Sequence, residues 1–173
     1  TFAITRNADN ALPEIITDGT LITTRAFNGY GEQETRESTI GGQAMEGWEL
    51  ARDNNGRITA KRETGGASSS DYSYTYDPAG RLLTVSRDGI VVEEYDYDEV
   101  GVRIYEKNTL RGTAPRSFTY SDEEHLLTAG DATYEYDADG YLATRTIGTE
   151  TAIYEYSSRG ELLSVALPDS TLI

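Results

Sequence analysis

The sequence predicts an all-β protein, an antiparallel β-hairpin repeat array that forms a curved or spiralling sheet. Three observations support this class. Tyrosines alternate at every second position in several short segments, Asp-x-x-Gly sequences follow them, and 17 glycines punctuate the chain so that no segment carries a convincing stripe at helical spacing. We therefore expect strands joined by tight turns and almost no helix.

Composition narrows the classes of function. The 173 residues suffice for one domain with a buried core. Thirty acidic and fifteen basic residues give a formal net charge of -15, which repels phosphate backbones and argues against nucleic acid as a partner. The chain has no cysteine for disulfides or thiolate metal sites, and no cofactor is expected. No apolar run is long enough to span a membrane, and "TFAITRNADN" lacks the features of a signal peptide. The chain begins without Met and stops at "LPDSTLI", where another extended segment is expected to begin, so we interpret it as a piece of a longer polypeptide.

One short unit recurs along the chain. With an aromatic residue before a polar phase residue and a glycine three positions after it, seven copies of varying quality are found. They are "FNGYGEQ" at 27, "RDNNGRI" at 52, "YDPAGRL" at 76, "YDEVGVR" at 97, "YSDEEHL" at 120, "YDADGYL" at 136 and "YSSRGEL" at 156. The steps of 16 to 25 residues between phase positions suit one hairpin and a connector.

Each copy contains the parts of a hairpin. Paired tyrosines such as Tyr74 and Tyr76 project from one face of a strand, because strand side chains alternate with a period of two. In the turn, Asp77 can accept a backbone hydrogen bond and Gly80 permits a left-handed residue. The predicted signature of the array comprises Asn28, Gly31, Asp53, Gly56, Tyr74, Tyr76, Asp77, Gly80, Tyr95, Tyr97, Asp98, Gly101, Tyr120, Tyr134, Tyr136, Asp137, Gly140, Tyr154, Tyr156 and Gly160.

The segments between these turns complete an antiparallel meander. "RLLTVS", "YLATRT" and "ELLSVAL" are expected to return as strands, and a second class of turn is indicated by "TDG" at 17, "RDG" at 87, "AGD" at 129 and "IGT" at 147. We predict a single array of about seven hairpins over residues 1–173. The stretch "GGASSS" at 65–70 is predicted to be a long internal loop, and residues 40–51 have the least certain structure.

The Tyr-x-Tyr-Asp-x-x-Gly-Arg-Leu unit resembles the YD repeat of the superfamily of Rhs proteins, Tc-toxin C components and teneurins. The resemblance is weakest at 1–14 and 34–47, and the copies depart from the pattern where Arg52 replaces the aromatic residue and where Glu124 and His125 replace Gly and Arg. It implies a β-hairpin ribbon that spirals into a hollow shell. Bacterial shells of this kind hold a toxic domain, whereas teneurin-like shells are extracellular scaffolds for adhesion.

The expected size of the ribbon limits what this chain can enclose. About 14 strands at roughly 4.8 Å make a ribbon roughly 67 Å wide, which closes into a ring roughly 21 Å across. A folded passenger of about 100 residues needs a sphere roughly 34 Å across. The chain is therefore expected to be a wall segment whose outer strands offer edges to flanking repeats or to another copy of the chain.

The sequence contains only weak signals for a metal site or a catalytic site. "DADG" at 137–140 begins like a calcium loop, but Thr146 stands where the loop needs a glutamate, so a turn is favoured. His125 with Ser121 and Asp122 could form a nucleophilic set, yet all three lie in one turn without a nucleophile elbow. A simpler interpretation is that three acidic residues form a solvated charge cluster, namely Asp122, Glu123 and Glu124.

Two functions follow from this reading of the sequence. We favour a non-enzymatic fragment of an Rhs/YD-repeat shell, part of a secreted or cell-surface polypeptide, that helps to encapsulate or scaffold a toxin or effector domain. The alternative is an extracellular adhesion or carbohydrate-binding module, whose exposed tyrosines would contact a cell-surface receptor or stack on the sugar rings of a glycan. The strict phasing of the tyrosines with the turns favours packing between strands over glycan binding.

Overall fold

The chain is all-β and antiparallel in the computed structural model, which describes residues 2–169 and 171–173, and this confirms the predicted fold class. It divides into two compact units, residues 1–93 and 94–173. Neighbouring strands are hydrogen-bonded in the order in which they occur in the chain, without a crossover. The prediction of a single array over residues 1–173 stays a prediction.

The first unit contains eight strands and half of a ninth. They are β1 (Phe2–Arg6), β2 (Pro13–Asp18), β3 (Leu21–Phe27), β4 (Gln33–Ile40), β5 (Gln43–Arg52), β6 (Ile58–Gly65), β7 (Ser68–Tyr76), β8 (Leu82–Arg87) and the first half of β9 (Ile90–Tyr97).

The second unit continues the same alternation of strand and turn. It contains the rest of β9, then β10 (Arg103–Asn108), a 3₁₀ turn (Thr109–Arg111), β11 (Thr113–Tyr120), β12 (Leu126–Ala129), β13 (Ala132–Tyr136), β14 (Leu142–Ile147), β15 (Glu150–Tyr156) and β16 (Leu162–Ala166). Residues 2–169 and 171–173 include no helix with the length and apolar character that a membrane crossing requires.

The repeat hairpins share one irregularity of register. Tyr76 of β7 opposes Leu82 of β8, but its neighbour Thr75 opposes Thr84, so Leu83 is an extra residue in the returning strand. The same shift occurs opposite Phe27, Arg52, Tyr120, Tyr136 and Tyr156. Such a β-bulge bends the strand that carries it and increases the local twist. The first two residues of the returning strand, such as Leu82 and Leu83, therefore both lie opposite a single residue, which is Tyr76 in this hairpin.

The connections between repeat hairpins are mostly two-residue turns. The turns after β2, β4, β6, β12 and β14 each begin with a glycine at positive φ. The turn after β8 consists of Asp88 and Gly89. A glycine can enter the left-handed region without a steric penalty, which is why these turns close within two residues.

The long loop predicted at residues 65–70 is wrong. Strand β6 runs to Gly65 and β7 begins at Ser68, with Gly65 paired to Ser68 across a turn of two residues. Gly66 takes a φ of 59°, and the serines that suggested flexibility are paired strand residues. Backbone pairing with Glu63, Thr64 and Gly65 of β6 outweighs the low strand propensity of "SSS".

Buried side chains are few, so the core is smaller than length and composition suggested. The buried apolar residues are Val85, Val92, Phe118, Ala129, Ala132 and Ala152, and the buried polar ones are Thr23, Ser38, Glu106 and Asn108. Most other strand residues are partly or fully exposed on both faces. Stability therefore depends on backbone pairing and on contacts between neighbouring hairpins.

Candidate functional site

Seven turns repeat one hydrogen-bond pattern, and they lie at the seven phase positions found in the sequence. In each, the backbone N–H of the phase residue donates to the carbonyl four residues later over 2.9 Å, and its own carbonyl accepts from the N–H three residues later over 2.9–3.2 Å. The third residue after the phase residue has positive φ in every case, including Glu124, at 65°, where glycine is missing. Glu124 shows that the turn geometry persists without glycine.

The side chain of the phase residue closes the turn. Oδ1 of Asp53 accepts from the N–H groups of Asn55 and Arg57, and Oγ of Ser121 accepts from those of Glu123 and His125. Corresponding hydrogen bonds are made by Asn28, Asp77, Asp98, Asp137 and Ser157. Any short side chain with an acceptor oxygen therefore serves, which explains why Asp, Asn and Ser share this position.

Two of these turns also carry an ion pair, which makes their stability depend on pH. Nε of Arg57 donates to Oδ2 of Asp53 over 2.7 Å, and this hydrogen bond is the main reason that the pKa of Asp53 lies below its ordinary value. Partial desolvation alone would raise the pKa of Asp77, but hydrogen bonds from the Arg81 backbone and guanidinium together outweigh it and lower the pKa.

Acid is therefore expected to weaken the first unit through Asp53 and Asp77. Because their folded-state pKa values are lowered, their contribution is present above the unfolded-state pKa of about 3.9 and is lost as pH falls through the folded-state pKa. The variant Asp53→Asn/Asp77→Asn keeps the turn acceptor, as Asn28 does, but removes the charge. Urea unfolding should show a shallower fall in the free energy of unfolding between about pH 5 and pH 3 in this variant. An unchanged slope would contradict the prediction.

The tyrosines of β7 lie on one face of the first unit, here called the tyrosine face of β7. Tyr72 pairs with Lys61 on β6 and with Arg87 on β8, and both cations approach its ring, at 5.9 and 5.7 Å from the centroid. Tyr74 pairs with buried Val85. Burial, followed by the charge of Glu63, raises the pKa of Tyr74. The face is thus half-buried and lined by cations and carboxylates.

The second tyrosine of a repeat joins its hairpin to the preceding one. The hydroxyl of Tyr76 donates to the carbonyl of Ile58 over 2.7 Å, and Tyr120 and Tyr136 donate in the same way to Arg103 and Leu126 over 3.0 Å. Each acceptor is the first residue of the returning strand of the hairpin before. One repeat therefore uses its tyrosine to hold the strand that starts after the previous turn.

The residue just before that acceptor covers the tyrosine ring. The Arg57 guanidinium lies 5.0 Å from the centroid of Tyr76, and the imidazole of His125 stacks on Tyr136 at 4.5 Å and 20°. In the last hairpin Tyr141 stacks on Tyr156 at 5.1 Å. At Tyr76 and Tyr136, a flat side chain at this position thus adds stacking to the hydrogen bond. The remaining signature tyrosines, Tyr95, Tyr97, Tyr134 and Tyr154, are half-buried on their strands.

The groups considered for chemistry take part in the turns. The Ser121 hydroxyl accepts backbone hydrogen bonds within its turn while the His125 ring lies against Tyr136. Oδ1 of Asp137 accepts from the N–H groups of Asp139 and Tyr141. Within residues 2–169 and 171–173, no three His, Cys, Asp or Glu side chains are grouped so that they could hold a metal ion.

Two clusters were missed by sequence reasoning. On the tyrosine face of β7, Trp48 of β5 stands between Arg36 and Glu63 in direct register. In the second unit, buried Glu106 accepts two hydrogen bonds from Arg116 at Oε1, and Arg103 lies 3.1 Å from Oε2. The one tryptophan in the chain was a usable signal for the first cluster. The sequence contained no signal for the cluster around Glu106, because Glu106 and Arg116 lie in different repeats.

Comparison with known proteins gives one family and several relatives. The profile of the family described as teneurin YD-shell matches residues 1–172. Teneurin-3 of Mus musculus is 30% identical over 154 residues, 88% of this chain and 6% of that protein. The tRNA nuclease WapA of Bacillus subtilis (strain 168) is 26% identical over 169 residues, 89% of this chain and 7% of that protein.

A solved structure shares the fold. The Photorhabdus luminescens Tc holotoxin pore with the TccC3-D651A mutation matches 98% of this chain and 9% of its own chain, with a TM-score of 0.60 and 20% identity. The chain thus spans less than a tenth of the length of each of these three proteins. At this identity the likeness to the toxin structure is one of fold.

Proposed function

The chain belongs to the teneurin YD-shell family, and we propose from this premise that it is a non-enzymatic wall segment of a shell. The shell would belong to a larger secreted or cell-surface polypeptide and would encapsulate or scaffold a toxin or effector domain. The observation that carries the proposal is the tyrosine hydrogen bond from one hairpin to the one before it, at Tyr76, Tyr120 and Tyr136. This contact extends the wall from repeat to repeat and uses the signature residues structurally.

The edge of the last strand supports flanking repeats as partners. Residues 171–173 lie along β16, where the N–H and C=O groups of Val165 and Ile173 exchange two hydrogen bonds of 3.0 Å, and Leu172 bridges to Ala166. The outer edge of β16 therefore accepts a further antiparallel strand. In the first unit, β1 is exposed along its whole length and has β2 as its one neighbour among the described strands.

The number of strands supports a role within a larger wall. Sixteen strands occur within residues 2–169, and at about 4.8 Å each they would span a ribbon of roughly 77 Å and a ring of roughly 24 Å. This exceeds the estimate from about 14 strands but is still below the roughly 34 Å needed around a small folded domain. A passenger therefore requires repeats beyond this chain. The name of the WapA relative, a tRNA nuclease matched over 7% of its length, is compatible with an effector carried elsewhere in such a polypeptide.

Protease protection in the parent polypeptide tests the proposal. A passenger domain inside an intact shell should be cut far more slowly than the same domain alone. The variant Tyr76→Ala/Tyr136→Ala removes two contacts between hairpins, so passenger cleavage should accelerate by about tenfold or more. The control Tyr30→Ala removes a ring that is 92% exposed and should leave the rate unchanged. Equal cleavage of the free and the shell-borne passenger would refute encapsulation.

A further inference from the structure

Consecutive repeats touch through one pair of positions. The residue four places after a phase residue, here called the exit residue, meets the residue directly before the next phase residue, here called the entry residue. These contacts use different chemistry in different places: Glu32 with Arg52, Arg57 with Tyr76, His125 with Tyr136, and Tyr141 with Tyr156. The same place in the wall therefore holds an ion pair, a cation–π contact or an aromatic stack.

Strand register explains why these two positions meet each time. Thr35 is opposite Glu49, and three residues farther along the two chains Glu32 comes to lie opposite Arg52. The pairings of β6 with β7, β12 with β13 and β14 with β15 bring the other three pairs opposite each other in the same way. An exit residue and its entry residue are therefore direct cross-strand neighbours, with Cβ atoms about 4.5–5.5 Å apart.

The two members of a contact are matched in charge. Nε of Arg52 lies 3.8 Å from Oε2 of Glu32, whereas the Arg57 guanidinium lies 5.0 Å from the ring centroid of Tyr76. Nε of Arg52 is buried and makes no hydrogen bond within the described residues, so the Glu32 carboxylate is the counter-charge that offsets its burial. Exchanging one member would set Glu32 against the negative face of a tyrosine ring, or an arginine against Arg52. An exit residue thus discriminates between entry residues.

Glu161 is an exit residue that meets no entry residue among the described strands. Its Oε2 accepts from the hydroxyl of its phase residue, Ser157, over 3.3 Å, just as Oε2 of Glu32 accepts from Nδ2 of Asn28 over 2.8 Å. Glu161 is exposed, and no Lys or Arg that the structure describes forms an ion pair with it. It therefore presents a carboxylate held in the same way as the one that pairs with Arg52.

We propose that Glu161 docks a following hairpin whose entry residue is an arginine. This rests on the proposed function, in which further repeats flank the chain. Val165 and Ile173 exchange two hydrogen bonds, so a strand continued in this register brings the fourth residue after Ile173 opposite Glu161. A guanidinium suits this position because it can bind a carboxylate through two parallel N–H groups, which an ammonium cannot do. The exit residues thereby help to specify which hairpin follows which.

A double-mutant cycle in the 173-residue chain tests the matching of exit and entry residues. Glu32→Arg/Arg52→Tyr rebuilds the contact of Arg57 with Tyr76. In urea unfolding its equilibrium constant should be about two- to fivefold more favourable to the folded state than the two single changes together predict. The control cycle combines Arg52→Tyr with Glu37→Arg, the same charge change at an exposed residue of β4 that is not opposite Arg52, and should be additive. Additivity in the first cycle would overturn the matching.

The parent polypeptide tests the partner of Glu161. Its fourth residue after Ile173 should be arginine. Glu161→Arg should speed proteolysis at this junction by about threefold or more, and changing that arginine to glutamate as well should restore the rate. The control Glu155→Arg makes the same charge change at an exposed residue of β15 and should leave the rate within about twofold. A following repeat with any other residue at this position, or no effect of Glu161→Arg, would overturn the inference and leave the shell proposal intact. A parent without a following repeat would overturn both.

Discussion

Replacement of Gly47 by alanine is expected to lower the free energy of unfolding by about 1–3 kcal/mol. Gly47 is buried in the middle of β5, and a Cβ atom there would lie 2.9 Å from the carbonyl oxygen of Arg36 and 2.9 Å from Oγ1 of Thr64. The first of these atoms belongs to the backbone of β4, so the clash cannot be relieved by a side-chain rotation. Strands β4 and β5 must separate locally, which weakens their ladder and displaces neighbouring Trp48.

Gly65→Ala is the matched control for this prediction. Gly65 also lies in a strand of the first unit, at the end of β6, but a Cβ there would meet nothing within 4 Å and its φ is not positive. Alanine should be neutral or stabilise by about 0.4–1 kcal/mol, because it restricts the unfolded chain. Urea unfolding of both variants measures the change in the free energy of unfolding. Similar stabilities for Gly47→Ala and Gly65→Ala would show that β4 and β5 do not approach as closely as described.

Loss of the Arg116 guanidinium is expected to destabilise the second unit by about 2–4 kcal/mol. Nε and Nη2 of Arg116 both donate to Oε1 of Glu106, over 2.8 and 2.5 Å, and the Glu106 side chain is 10% exposed. The variant Arg116→Met keeps an apolar stem beside Phe118 but leaves a buried carboxylate with Arg103 as its remaining ion-pair partner. The cost arises because Glu106 has little access to water that could replace the lost hydrogen bonds.

Arg36→Met provides a control at a cross-strand ion pair that is exposed. Arg36 and Glu46 are also a cross-strand ion pair ten residues apart, at 2.9 Å, but the Glu46 side chain is 63% exposed. Water replaces the arginine there, so the loss should be about 0–1 kcal/mol. Chemical denaturation monitored by circular dichroism measures both. Equal losses in the two variants would mean that burial of Glu106 does not set the strength of its ion pair.

The repeat turns could be predicted because each depends on residues next to one another in the chain. Asp77 and Gly80 supply the acceptor and the left-handed residue of a single turn, and the same types recur at 53 and 56 and at 137 and 140. The eighth turn, between β1 and β2, was missed. It is one residue longer, and its positive-φ position is Ala11, at 58°, instead of a glycine. This hairpin adds to the seven that the phased copies predict among the described residues.

The hairpins around residues 40–51 and 65–70 were harder to predict for a different reason. Gly41 and Gly42, like Gly66, form turns that are followed directly by "QAME" and "ASSSD", which contain no tyrosine and no β-branched residue. The segment "SSSD" at 68–71 forms a strand because it pairs in register with Gly65, Thr64, Glu63 and Arg62 of β6. Local propensity is a weak guide where a strand forms by pairing with a neighbour that is already in place.

The sequence by itself determined the fold class, the seven phased turns and the alternation of tyrosines, because turn chemistry and strand periodicity act over a few neighbouring residues. The tertiary structure alone decided which residues meet across strands. Register decides that Arg36, Trp48, Glu63 and Ser70 are successive cross-strand partners and that Arg116 lies opposite Glu106. Each β-bulge shifts that register by one residue. Register follows from the cooperative pairing of whole strands, so these neighbours, and any site that they form, are encoded by the packed sheet as a whole.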